Sequence, residues 1–242
     1  NDEFIMSLTN QKKFYEISSY EFVDNGFAVT LDGKSISTQA GMPFILPSES
    51  LAAAVAKEWE IQSINIQPNT MPLTALCYTT LDIVSVQRKK IIEQLLQYAE
   101  TDLLCYRSDN SKELHEFQNT YWQPLLNWVH ETYSAQLRIT KGIIPIKQPH
   151  KTITKLRHVI EDLNDFQLTT LTSITKISGS FIIGLCVIGE HISADDAFFA
   201  SQLDEVWQRK KWGEDTEDMK RSDFLHTELL EAVRFLGLVR CN

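Results

Sequence analysis

The stretch FVDNGFAVTLDGK, residues 22–34, sets Phe27, Val29 and Leu31 against Ala28 and Thr30, between the turn dipeptides Asn25-Gly26 and Asp32-Gly33. Alternation on a period of two between such dipeptides predicts a β-hairpin. FYEISS before it and KSIST after it extend the pattern into a small antiparallel sheet. At Pro47-Ser48 the period changes. Ser48 can cap a helix with Glu49 in its first turn and Leu51, Val55 and Trp59 on one stripe, spaced four apart. Helical patterns dominate from there on. The reading is an α+β chain: a small N-terminal antiparallel β domain, residues 12–48, followed by a larger all-helical domain, residues 49–242.

Within the second part, Leu73 to Val84 and Ile91 to Ala99 read as helical runs. A longer helix from Ser111 to Tyr133 carries Pro124, which predicts a kink or a helix-to-helix junction. Residues 137–149, LRITKGIIPIKQP, lack periodicity and read as a long connector. Pro149 then opens an amphipathic helix with Ile153, Leu156, Ile160 and Leu163 on its apolar stripe. Two further runs cover 165–176 and 178–189. Ser193 and Asp196 form a capping-box pattern for a helix that runs into DEVWQRKKWGED, 204–215, and a last helix follows Gly213 to about Leu238.

The chain has 242 residues, 43% of them hydrophobic, enough for a sizeable core. Its 23 Lys and Arg against 32 Asp and Glu give a net charge of −9, which disfavours nucleic acid or an anionic lipid surface as the main partner. Cys77, Cys105, Cys186 and Cys241 form no CxxC pair, so reduced, mostly buried thiols are expected. The N-terminal NDEF is neither Arg-rich nor followed by a long apolar run, so no secretory or organellar leader is expected here. The longest uncharged run, ISGSFIIGLCVIG at 177–189, is shorter than the roughly 20 residues a membrane crossing needs and reads as a buried helix.

Motifs for catalysis are scarce. There is no GxxxxGKS, no GxGxxG after a strand and no HExxH, and the histidines never fall at ligand spacing, so neither a cofactor nor a metal is expected. Ser180 in SGSFIIG reads as a small residue that, with Gly184, lets two helices approach. Asp102 in AETDLLCYR is the most suggestive acid. A helix-terminal cap or an ion pair with Arg107 accounts for it, and a rival reading places it with Asp204 and Asp215 in an interdomain cleft of a small-molecule enzyme.

In the 204–215 stretch, a continuous helix would place Phe199, Leu203, Val206 and Trp207 on a core-facing stripe. Phe198, Gln202, Glu205 and Arg209 would share a second face. Glu205 and Arg209 stand in the order that favours an exposed ion pair. The alternative is a mixed strip of the kind interfaces use, with Trp212 as its aromatic anchor.

LDGKSISTQAG, LPSESLAAAVAKEWEIQ, PNTMPLTAL, AETDLLCYR, QNTYWQPLLNW and DEVWQRKKWGED, in this order, resemble the family of assembly chaperones for the catalytic head of F-type ATP synthase that act on its alpha subunit. The resemblance covers Lys13 to Leu238. Lys34 stands where the family typically has Arg, and the helical core is less rich in alanine and leucine. The family occurs in mitochondria and alphaproteobacteria. The resemblance implies a non-enzymatic, monomeric protein that holds the alpha subunit until the beta subunit joins. The resemblance leaves bacterial cytoplasm and mitochondrial matrix open, and the expected lack of a leader favours the cytoplasm. Carried over by motif, Glu205 is the expected partner contact, with Gln208 and Trp212 nearby, and the helix-face reading adds Gln202, Arg209 and Phe198. Trp59, Trp207 and Glu58 are expected to be structural, Glu58 with a basic or backbone partner.

Overall fold

The computed structural model describes residues 11–213 and 216–241. The N-terminal stretch read for a leader and Asp215 lie outside the described residues. Strands β1 (Ser18–Val23), β2 (Gly26–Leu31), β3 (Lys34–Ser35) and β4 (Ile45–Leu46) form one antiparallel sheet. β2 is its centre. β1 lies along one edge, in register from Ser18↔Leu31 to Val23↔Gly26, and β3 and β4 divide the other.

The two turns differ in kind. Asp32 and Gly33 both take positive φ, 50° and 74°, the conformation of a tight two-residue hairpin turn. The Asp32 carboxylate accepts the N–H groups of Ile17 (2.8 Å) and Glu16 (3.0 Å), and these bonds hold its pKa below the usual carboxylate range. In the first hairpin the positive φ falls on Gly26 instead, at 144°, where a Cβ would run into the Leu46 carbonyl oxygen.

Helix α1 (Glu49–Glu60) starts where the period changed, with the Ser48 hydroxyl accepting the Leu51 N–H at 3.3 Å. Leu51, Val55 and Trp59 are all buried. The Glu58 carboxylate reaches the next helix, α2 (Pro72–Tyr78), and accepts the N–H groups of Leu73 and Thr74 at 2.8 Å and the Thr74 hydroxyl at 2.6 Å. It thereby satisfies donors that a helix N-terminus leaves open, and its partners are two backbone N–H groups and a hydroxyl rather than a basic group. Burial outweighs those bonds and pushes its pKa up.

A π-helical turn, Thr79–Val84, joins α2 to α3 (Ser85–Glu100). Then come β5 (Tyr106–Arg107), α4 (Lys112–Tyr133), β6 (Thr140–Lys141), α5 (His150–Glu161), α6 (Asp165–Ser178) and α7 (Phe181–Ile188). Helices α8 (Ala194–Ser201), α9 (Leu203–Trp212) and α10 (Thr216–Arg240) complete the chain. β5 and β6 pair in parallel, so the expected connector carries a strand. Pro124 lies inside α4, which continues through it rather than dividing.

By its contacts the chain forms two compact units. The first contains the described residues through Arg88, Asp165–Thr169 and the residues from Glu231 onward; the second contains Lys89–Asn164 and Thr170–Leu230. In the first, the sheet, α1 and α2 bury Val29, Phe44, Leu46, Leu51, Val55, Trp59 and Leu73 together with Phe235 and Val239 of α10.

The second unit is helical and centred on α7, buried at every position. Its first turn departs from the expectation at Ser180. Ser180 is the cap of α7, accepting the Ile183 N–H at 3.1 Å, rather than a small packing residue. Gly184 does provide the close approach, since a Cβ there would lie 2.7 Å from Leu171 Cδ1. Beneath this turn, fully buried Asp102 accepts the N–H groups of Ile182 and Leu104, both at 3.0 Å, and the Ser180 hydroxyl at 2.8 Å. Burial nonetheless raises its pKa from 3.8 to about 6. Asp102 is thus a helix cap, and the hydrogen bonds of Arg107 go to the Leu104 carbonyl and Asn119. Cys77, Cys105 and Cys186 are buried, whereas Cys241 is exposed.

Candidate partner-binding groove

α8 begins with the capping box read from the sequence. The Ser193 hydroxyl accepts the Asp196 N–H at 3.1 Å, while Asp196 accepts from the Ser193 backbone N–H. The helix does not continue into α9 as expected. Gln202, at φ −101° and ψ 16°, ends α8 with its N–H on the Phe198 and Phe199 carbonyls, and its own carbonyl accepts the Val206 N–H to start α9. Non-helical torsions at one residue reset the phase of the side chains that follow. The strip read as Phe198, Gln202, Glu205 and Arg209 is therefore not one helix face.

Gln202, Glu205, Gln208 and Arg209 line an open groove of about 810 Å³ in the second unit. Phe198 does not line it and stacks instead on the His226 ring, 4.5 Å between centroids, with His226 also bonded to Asp195 at 2.8 Å. The Trp212 side chain lies outside what the structure describes. The opposite walls come from elements that sequence reasoning missed: Lys176 to Gly179 at the end of α6, and Asp218, Arg221, Ser222 and Leu225 on α10. Asp204 also lines the groove, as do Leu103 and Trp122. No local pattern in the sequence connects these segments.

The scaffold below the groove is fixed by polar bonds. Gln118, buried on α4, donates to Asp204 Oδ1 at 2.8 Å and accepts the Ser108 N–H at 2.7 Å. The Trp122 indole N–H donates to the Ala200 carbonyl at 2.8 Å, and the Arg107 guanidinium lies 5.1 Å from the Trp122 ring. Burial lowers the Arg107 pKa to about 10. Leu203, with no exposure, anchors the first turn of α9.

Trp207 belongs to a half-buried aromatic cluster rather than the core. It lies 6.0 Å from Phe117, which also contacts Tyr121 and Phe199. Lys210 and Lys211 lie over the rings of Phe117 and Trp207, at 5.3 and 4.8 Å. Two of the three basic residues between the tryptophans thus cover aromatic faces, as long cationic side chains favour. Glu205 and Arg209 form no ion pair with each other or with another described residue. With Lys176, Arg221, Asp204 and Asp218 they give the groove three cations and three anions. Such a surface is the mixed kind that suits a separable protein partner.

Among the described residues no cluster of His, Cys, Asp or Glu could hold a metal, and no helix is long and apolar enough to cross a membrane.

Residues 12–130 match the family model of the ATP12 chaperone protein. The crystal structure of Atp12 from Paracoccus denitrificans is similar at 35% identity and TM-score 0.90, over 95% of this chain and 98% of that one. A solved protein from Agrobacterium tumefaciens is 28% identical with TM-score 0.87, over 94% of this chain and 85% of that one. A mitochondrial protein of Schizosaccharomyces pombe, atp12, is 24% identical over 88% of this chain and 78% of its own length. The relatives thus include mitochondrial and bacterial proteins, and the shared architecture is the N-terminal antiparallel sheet followed by helices. The chain belongs to the ATP12 chaperone family, which serves the assembly of ATP synthase.

Proposed function

We propose that this protein holds the unassembled alpha subunit of the F-type ATP synthase head, through the groove of α9, α10 and the end of α6, until the beta subunit takes its place. The observation that carries the reading is the state of Glu205 and Arg209. Both line an open groove, and neither is in an ion pair among the described residues. A lone oligomer subunit exposes an apolar interface that associates wrongly, and a protein that covers it must bind firmly yet yield to the rightful neighbour. A polar, mixed-charge surface suits exchange better than the apolar face of a permanent complex.

The carboxylate-enzyme reading gains little here. Asp102 is fully buried with both oxygens bonded to backbone, and Asp204 is held by Gln118. The proposed role is non-enzymatic, filled by a monomer in the bacterial cytoplasm or, alternatively, the mitochondrial matrix, as the family resemblance and the sequence reading suggest.

Glu205→Lys tests the groove. Exposed substitutions stay within about 0.5 kcal/mol in stability, whereas reversing an interfacial charge weakens binding by roughly tenfold or more. The variant should melt like the parent and capture purified alpha subunit poorly in a pull-down. Unaltered capture, or a variant that fails to fold, would remove Glu205 from the contact.

A further inference from the structure

The net charge of −9 conceals a strong local asymmetry. Between Glu131 and Glu161 the chain has no acidic residue but carries Arg138, Lys141, Lys147, Lys151, Lys155 and Arg157. Two of these are engaged, Lys155 with the Ser134 carbonyl and Arg157 with Glu93. Arg138, Lys141, Lys147 and Lys151 are exposed and in no ion pair among the described residues. Among them project Ile143, 94% exposed, and Ile144, 72% exposed.

The projection is built. Buried Gln148 clips its base, accepting the Arg138 N–H at 2.8 Å and donating to the Arg138 carbonyl at 3.0 Å. The β5–β6 pairing and the Gly142 N–H on the Arg107 carbonyl, 2.8 Å, hold its rising limb. Gly142 takes φ 70°, and a Cβ there would lie 2.6 Å from the Asp109 carboxylate.

We propose that the 138–148 lobe is a peripheral docking site for an anionic lipid surface, with Ile143 and Ile144 entering the interface and Lys141, Lys147, Arg138 and Lys151 meeting the headgroups. Two adjacent isoleucines fall short of the roughly 800 Å² per partner that a stable protein interface buries. A lipid surface requires only apolar area and positive charge, without a complementary pocket. The cations flank the apolar tip on both sides in sequence, the arrangement that places charge at headgroup depth. The site is separate from the groove residues and stands whichever subunit the groove holds.

Flotation of the full chain with phosphatidylcholine vesicles, a quarter of whose lipid is phosphatidylglycerol, tests the proposal beside vesicles of phosphatidylcholine alone. Binding should require the anionic lipid and fall as salt rises. Ile143→Asp with Ile144→Asp, and separately Lys141→Glu with Lys147→Glu, should each reduce it by about tenfold or more without changing the far-ultraviolet dichroism or melting. Equal binding to both vesicle types, no binding to either, or undiminished binding by the variants would overturn it. Loss of alpha-subunit capture by the lobe variants, with vesicle binding unchanged, would overturn it too and make the lobe a protein contact.

Discussion

Asp102 lies with no solvent exposure under the first turn of α7, where it holds two backbone N–H groups and the Ser180 hydroxyl. Those bonds favour its ionised form, and burial outweighs them, so its pKa rises from 3.8 to about 6. The folded state therefore binds this proton more tightly than the unfolded chain. The resulting stabilisation is complete below pH ~4, is lost as pH rises through ~6, and is absent at neutrality. Urea unfolding of Asp102→Asn beside the parent should show the stability difference moving against the parent by up to about 3 kcal/mol between those limits. Parallel pH profiles would contradict the assignment. The sequence shows Asp102 only as an acid among apolar neighbours, open to a cap or to Arg107. Deciding between them needs Ser180, 78 residues away, which no local pattern supplies. Glu58 repeats the lesson at a shorter distance, with partners 15 and 16 residues on.

Elements were legible where local periodicity and turn chemistry agree. β1 and β2, the Asp32-Gly33 turn, the Ser48 cap and the stripe of α1 all follow from residues within one element or its flanks. Gly26 shows a limit. Its dipeptide marked the turn, yet its requirement for glycine comes from β4, whose Leu46 carbonyl occupies the space of a Cβ. Gly26→Ala combines a positive φ with a backbone clash and should cost about 2 kcal/mol or more in a denaturant titration. A midpoint unchanged from the parent would contradict that packing. The break at Gln202 was not legible for the opposite reason. Ala194 to Trp212 contains neither Gly nor Pro, and the propensities favour one helix. The end of α8 and the start of α9 are set instead by tertiary anchors, Trp122 on the Ala200 carbonyl and buried Leu203.

At the scale of the molecule, the order of sheet and helices could be read from the chain, while the contents of each compact unit could not. Phe235, Leu238 and Val239, near the end of α10, join a core otherwise built from residues before Arg88 and from Phe166. The groove is likewise assembled from distant segments, the end of α6, α9 and α10 with Leu103 and Trp122, of which only the α9 wall carried a readable signal. Membership of the ATP12 chaperone family and the mixed-charge groove together support a separable protein partner, and the central claim concerns which one. Immobilised chain offered purified free alpha subunit, then beta subunit in excess, tests it most directly. The account predicts that the alpha subunit is retained, is released as beta is added, and that the chain is absent from finished ATP synthase. Failure to retain alpha, or the chain present at full stoichiometry in the finished enzyme, would contradict it.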